Sequence, residues 1–131
     1  MFVDASAIVA ILTKEADAAA LADRIARAKQ VYVSPVVIFE ATAAIVHKIA
    51  CPVEVAQEMV DDFVAECGAG SVDIDTAIGR QAVAAYRRFG KGRHKARLDM
   101  GDCFAYACAK ACRQPLLYKG DDFSHTDARS A

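Results

Sequence analysis

At 131 residues, 55% hydrophobic and 25% charged, the chain is long enough for one ordinary core and too short for two, so a single domain over residues 1–131 is predicted. The composition excludes a disordered or low-complexity chain, and a formal net charge of −1 excludes a global attraction to nucleic acid or anionic lipid, leaving only a local patch for such a partner. No apolar run approaches the roughly 18–20 residues that span a bilayer, and the opening MFVDASAIV has an aspartate and no basic n-region, so a cytoplasmic protein without a membrane partner is expected.

In chain order, MFVD is a short apolar run that reads as a strand, followed by the helical SAIVAILTKE. ADAAALADRIARAK is an alanine-rich amphipathic helix, and VYVS a second strand. In SPVVIFEATAAIVHKI, Ser34 can cap a helix whose first turn accepts Pro35. PVEVAQEMVDDFVAEC is a further helix, GSVDI a third strand, and DTAIGRQAVAAYRRFG a helix with Asp75 as its predicted cap. A polar loop, KGRHKARL, leads to the last long helix, GDCFAYACAKACR, and PLLYKG supplies the last strand. Strands separated by helices predict a mostly parallel sheet covered on both faces.

The five cysteines (Cys51, Cys67, Cys103, Cys108 and Cys112) contain no C-x-x-C pair, and their odd number predicts free thiols. Cys108 and Cys112 are one helical turn apart, but no histidine lies near them and their alternation with alanine reads as a packed face.

Ligands of a parallel sheet collect outside the carboxyl ends of its strands. Several acids fall there. Asp4 ends the first strand, Glu40 sits early in the helix that leaves the second, Asp99 and Asp102 head the helix that leads into the last, and Asp121 and Asp122 follow that strand. Converging carboxylates repel one another unless a cation neutralises them. An all-oxygen set favours Mg²⁺ or Mn²⁺, which supplies a nucleophilic water and stabilises the charge of an in-line phosphoryl displacement. The inferred chemistry is phosphodiester hydrolysis. Structural roles stand beside this one: Asp99 and Asp102 have the spacing of a capping arrangement, Asp4 can cap the first helix, and acids are common in turns such as KGDDF. For Glu40, among Ile38, Phe39, Ala41, Ala43 and Ile45, a solvated face is the weaker explanation.

The segments FVDASAIVAIL, VVIFEATAAI, YRRFGKGRHKARLDMGDCFAYACAK and PLLYKGDDFSHTD together resemble a PIN-domain ribonuclease, specifically a VapC-type toxin of a bacterial toxin–antitoxin pair, over nearly the whole chain. The resemblance implies a three-layer α/β/α sandwich with a mostly parallel central sheet and a Mg²⁺- or Mn²⁺-dependent endoribonuclease. It places Asp4 and Asp102 as metal acids, Glu40 as the mid-chain acid, Asp122 or Asp121 as the last acid, and Ser6 as a hydroxyl near the metal. It further implies a homodimer and a cognate VapB-type antitoxin that fills an apolar groove and blocks the acid site, often with an arginine. Two positions depart from the pattern: Ala5 stands where the family usually has threonine, and Asp99 where it commonly has asparagine. The resemblance also gives a role to the basic run between Arg87 and Arg97, whose Lys91, Arg93, Lys95 and Arg97 are expected to steer RNA phosphates. Tyr86, Phe89 and Phe104 are available for base stacking, although a core role suits each. The competing readings are a catalytically inactive PIN-fold binding module and an aspartyl-phosphate phosphatase-like domain with Asp4 as nucleophile. Against the phosphatase, no second aspartate stands two residues after Asp4.

Overall fold

The computed structural model describes residues 1–131. In chain order it contains β1 (Phe2–Val3), α1 (Ala5–Leu12), α2 (Ala18–Ala26), β2 (Tyr32–Val33), α3 (Pro35–Ile49), α4 (Val53–Glu66), β3 (Gly70–Ser71), α5 (Thr76–Phe89), α6 (Met100–Ala111) and β4 (Leu116–Leu117), then a 3₁₀ turn at Asp122–His125. The four strands form one sheet in the order β3-β2-β1-β4, every pair parallel. With six helices around it, this is the three-layer α/β/α arrangement expected from the alternation of strand and helix.

Phe2 pairs with both Tyr32 and Leu116, so β1 is flanked on both sides and both its residues are fully buried. A strand covered on every side needs a continuous apolar run, not an alternating one, and FV supplies it. Ile8, Ile45, Leu98, Leu116 and Leu117 complete the deepest part of the core, each worth about 1.5–3 kcal/mol of burial. From β1 the chain moves outward to β2 and β3, then returns to the other side of β1 as β4. That reversal makes the carboxyl ends of β1 and β4 a topological switch point, where neighbouring connections diverge and leave a crevice.

The starts of α3 and α5 are where the sequence places them. The Ser34 side chain accepts from Val37 N–H with Pro35 in the first turn of α3, and Asp75 accepts from Ile78 N–H at the head of α5. The third strand is shorter than GSVDI suggests. It is an exposed edge strand confined to Gly70–Ser71, with one glycine in two residues to weaken it. The opposite edge is covered by the last residues of the chain: Leu116 N–H donates to Arg129 O at 2.8 Å and Ala131 N–H to Leu116 O at 3.0 Å, an edge protection the sequence did not announce. All five cysteines are free, and the Cys112 thiol donates to Cys108 O within its helix. No helix is long and apolar enough to cross a membrane.

Candidate active site

Asp4 follows β1 directly and caps α1. It is 4% exposed, and its Oδ2 accepts from Ser6 N–H at 3.0 Å and from the Ser6 hydroxyl at 2.5 Å. Ser6 Oγ in turn accepts Lys119 N–H at 3.0 Å, which ties the end of β1 to the segment leaving β4 across the switch point. Asp102 sits in the first turn of α6 within a capping box: Asp99 N–H donates to Asp102 Oδ2 and Asp102 N–H to Asp99 Oδ1, both at 2.9 Å. Capping and site roles are therefore compatible, since the backbone bonds fall on one oxygen of Asp4 and one of Asp102. The second oxygen of each remains for a ligand.

Glu40 lies in the second turn of α3, which packs against α1 and α6. Its carboxylate rests on Gly101 of α6: a Cβ on Gly101 would stand 1.8 Å from Glu40 Oε1 and 2.2 Å from both Cδ and Oε2. A buried glycine in the first turn of α6 thus makes room for an acid brought from another helix. Glu40 also meets the N-terminal end of α6, where the helix dipole favours negative charge.

Asp4, Glu40 and Asp102 line one cleft of about 460 Å³ together with Ser6, Glu15 and Lys119. Burial raises the Glu40 carboxyl to about 7, and the neighbouring charges of Asp4 and Asp99 add to the rise. Burial likewise raises Asp102 to about 7, with the Asp99 and Asp4 charges contributing, and burial raises Asp4 despite the Ser6 hydrogen bonds. No donor of the chain offsets the rise at Glu40. Three buried or half-buried carboxylates all held above their ordinary range fit a hard divalent ion. No three His, Cys, Asp or Glu side chains already stand in coordinating geometry, so holding an ion requires the carboxylates to draw inward.

The direction of these shifts sets a pH dependence. Glu40 is raised from an ordinary value near 4.3 to about 7, so across that window the folded chain binds more protons than the unfolded one. The resulting stability is fully present below the unfolded value and is lost as pH rises through the folded value. Without divalent ions, the melting temperature of the wild type relative to Glu40→Gln is expected to fall between pH 5 and 7.5. Mn²⁺ should restore it more strongly at pH 7.5 than at pH 5, where protons compete for the same oxygens. A difference that stays constant with pH in thermal unfolding would mean that folding does not raise the Glu40 carboxyl.

The other acids are placed elsewhere. Asp99 is an exposed cap that acts on the cleft through its hydrogen bonds to Asp102 and its charge, and Asp121 and Asp122 are exposed around the 3₁₀ turn; none of the three lines the cleft. Lys91, Arg93, Lys95 and Arg97 are exposed on a loop held by the fully buried Ala96 and Leu98. Phe89 is buried, Phe104 half-buried and Tyr86 exposed beneath the Arg93 guanidinium. Sequence reasoning missed Gly101, Glu15 and Lys119. The switch-point rule, applied after β4 to acids alone, passes over Lys119, two residues beyond that strand.

Residues 1–129 match the family described as PIN domain. The chain is similar to a VapC ribonuclease of Rhizobium meliloti, at 44% identity covering 96% of this chain and 97% of the relative. It is 39% identical to Ribonuclease VapC of Mycolicibacterium smegmatis, covering 97% of this chain and 96% of that one. It is 38% identical to Ribonuclease VapC42 of Mycobacterium tuberculosis, covering 100% and 98%.

Proposed function

Since the chain belongs to the PIN-domain family, among the VapC ribonucleases, we propose that its acidic cleft is the centre of a Mg²⁺- or Mn²⁺-dependent endoribonuclease, the toxin of a toxin–antitoxin pair. The observation that carries this reading is the meeting of Asp4, Glu40 and Asp102, from three distant parts of the chain, in one cleft at the switch point. Bound there, the ion supplies neutralisation of the carboxylates, a nucleophilic water at neutral pH and stabilisation of charge on the phosphoryl oxygens.

Asp4 and Asp102 would hold the ion through the oxygens that the N–H groups of Ser6 and Asp99 leave over, and those two bonds fix both carboxylates. Ser6 locks Asp4 by donating to Oδ2. Glu40 is the carboxyl of the three that no backbone group restrains, and it is suited to take a proton from the attacking water. Ser6 stands where a phosphatase would need its second acid, which favours phosphodiester cleavage over the phosphatase reading. The inactive-module reading predicts no RNA cleavage with or without metal. RNA cleavage by the purified chain is expected in Mn²⁺ or Mg²⁺, is stopped by EDTA and returns with excess Mn²⁺; cleavage indifferent to EDTA would defeat the proposal.

The loop cations are part of the same reading. Arg88 is engaged by Asp127, whereas Lys91, Lys95 and Arg97 pair with no acid and project from an anchored loop. Each phosphate neutralised on a single strand contributes about −0.7 to the slope of log affinity against log salt. Replacing Lys91, Arg93 and Lys95 together by alanine should flatten that slope, and superimposable salt titrations would return the loop to a solvated surface.

The proposal places the protein in the cytoplasm with a cognate VapB-type antitoxin and pairing as a homodimer. The apolar residues of α1 are largely spent in the core. On α3, Phe39 is 73% exposed along a groove toward Val53 of α4. That groove is suited to an amphipathic antitoxin segment.

A further inference from the structure

We propose that Lys119 grips an RNA phosphate inside the acidic cleft, and that Glu15 occupies this lysine in the free chain as an internal stand-in for that phosphate. The inference rests on the endoribonuclease reading and adds to it a substrate-binding residue and its intramolecular competitor. Its starting point is charge. The residues lining the cleft include four carboxylates (Asp4, Glu15, Glu40 and Asp102) and a single cation, Lys119. The loop cations between Lys91 and Arg97 do not line it. A polyanion that reaches the three site acids therefore meets one fixed positive side chain there.

Lys119 is built into position by its backbone. Its N–H donates to Ser6 Oγ at 3.0 Å, and that hydroxyl donates to Asp4 Oδ2 at 2.5 Å, so two hydrogen bonds set the lysine's main chain against the proposed metal acid. The side chain is 36% exposed and reachable. Its ammonium pairs with Glu15 and, at 3.1 Å, with Asp17. Glu15 also pairs with Lys48, at the far end of α3. Both anions on Lys119 come from the connection between α1 and α2, which is no part of the acid cluster. An ammonium with three donors can exchange a carboxylate for a phosphate oxygen without desolvation beyond what it already has. Glu15 retains Lys48 when it is displaced, and Asp17, whose side chain is 43% exposed, is left to solvent.

The test uses RNA affinity at several salt concentrations, with Ca²⁺ in place of Mg²⁺ to suppress cleavage, followed by steady-state cleavage in Mn²⁺. Lys119→Met removes the charge but keeps the N–H to Ser6, so the fold and Mn²⁺ affinity should persist. RNA affinity should fall roughly tenfold and the salt slope should lose about 0.7, one phosphate. Lys119→Arg should retain most of the binding. Glu15→Gln, which weakens the competitor, should bind RNA a few-fold more tightly than wild type. Lys119→Met with wild-type affinity and slope overturns the proposal. So does Lys119→Met that has lost Mn²⁺ binding, because the lysine would then act through the acids. A wild-type chain that neither binds nor cuts RNA overturns the endoribonuclease reading itself and this role with it, an outcome distinct from the first two.

Discussion

Asp102→Asn is expected to lower RNA cleavage by roughly 100- to 1000-fold while leaving the fold intact, because the substitution removes charge and preserves shape. The amide oxygen of Asn can still accept from Asp99 N–H, so the capping box at the head of α6 survives and the helix keeps a contribution of about 1 kcal/mol. Charge is what the change takes away. Burial, with the charges of Asp99 and Asp4, raises the Asp102 carboxyl, so neutralising it in the absence of metal should leave the melting temperature unchanged or higher. Loss of activity combined with retained or increased stability separates a site acid from a structural one. Asp4→Asn should behave alike, since its amide oxygen can accept the Ser6 bonds. Asp121→Asn and Asp122→Asn, both outside the cleft, are expected to change cleavage far less. The measurements are cleavage rate, Mn²⁺ affinity and thermal unfolding on the same preparations. Wild-type cleavage by either cleft variant, with contaminating nuclease excluded, would sink the assignment.

Much of this site was legible because its residues obey local rules. FV followed by Asp4 is a buried strand with an acid at its carboxyl end. Ser34 and Pro35 mark a helix start, and Glu40 stands out because a charge on an apolar helix face needs a reason. The parallel order then places these ends at one edge. Less legible were features that depend on the meeting of two distant segments. Whether Asp122 turns toward the cleft depends on the path after β4, where the chain enters a 3₁₀ turn around the buried Phe123 and carries both adjacent acids outward. No period or motif encodes that choice. Glu15 was invisible for a similar reason: at the end of the helical run SAIVAILTKE it looks solvated, and only the fold brings Lys48 and Lys119 to it.

Gly101 shows the same limit and gives the other large expected effect. In DMGDCF the glycine reads as a poor helix residue, about 0.5–1 kcal/mol worse than alanine. The structure supplies the reason for it: the space a side chain would fill holds the carboxylate of Glu40. In Gly101→Ala, the new methyl would start 1.8 Å from Glu40 Oε1, and the flexible end of Glu40 must move by more than about 1 Å to reach ordinary contact. That movement is cheap for folding and costly for chemistry, since a misplacement of about 1 Å at a reacting centre is worth up to roughly 100-fold in rate. Gly101→Ala should therefore melt within a few degrees of wild type and cleave RNA about 10- to 100-fold more slowly. Shortening the partner tests the cause. Glu40→Asp withdraws the carboxylate by one methylene, so Gly101→Ala combined with Glu40→Asp should cleave faster than Gly101→Ala alone, a non-additivity expected only of residues in contact. Equal activity of Gly101→Ala and wild type would mean that the position of Glu40 does not matter to cleavage. Strictly additive losses in the double variant would mean that the methyl acts on something other than Glu40.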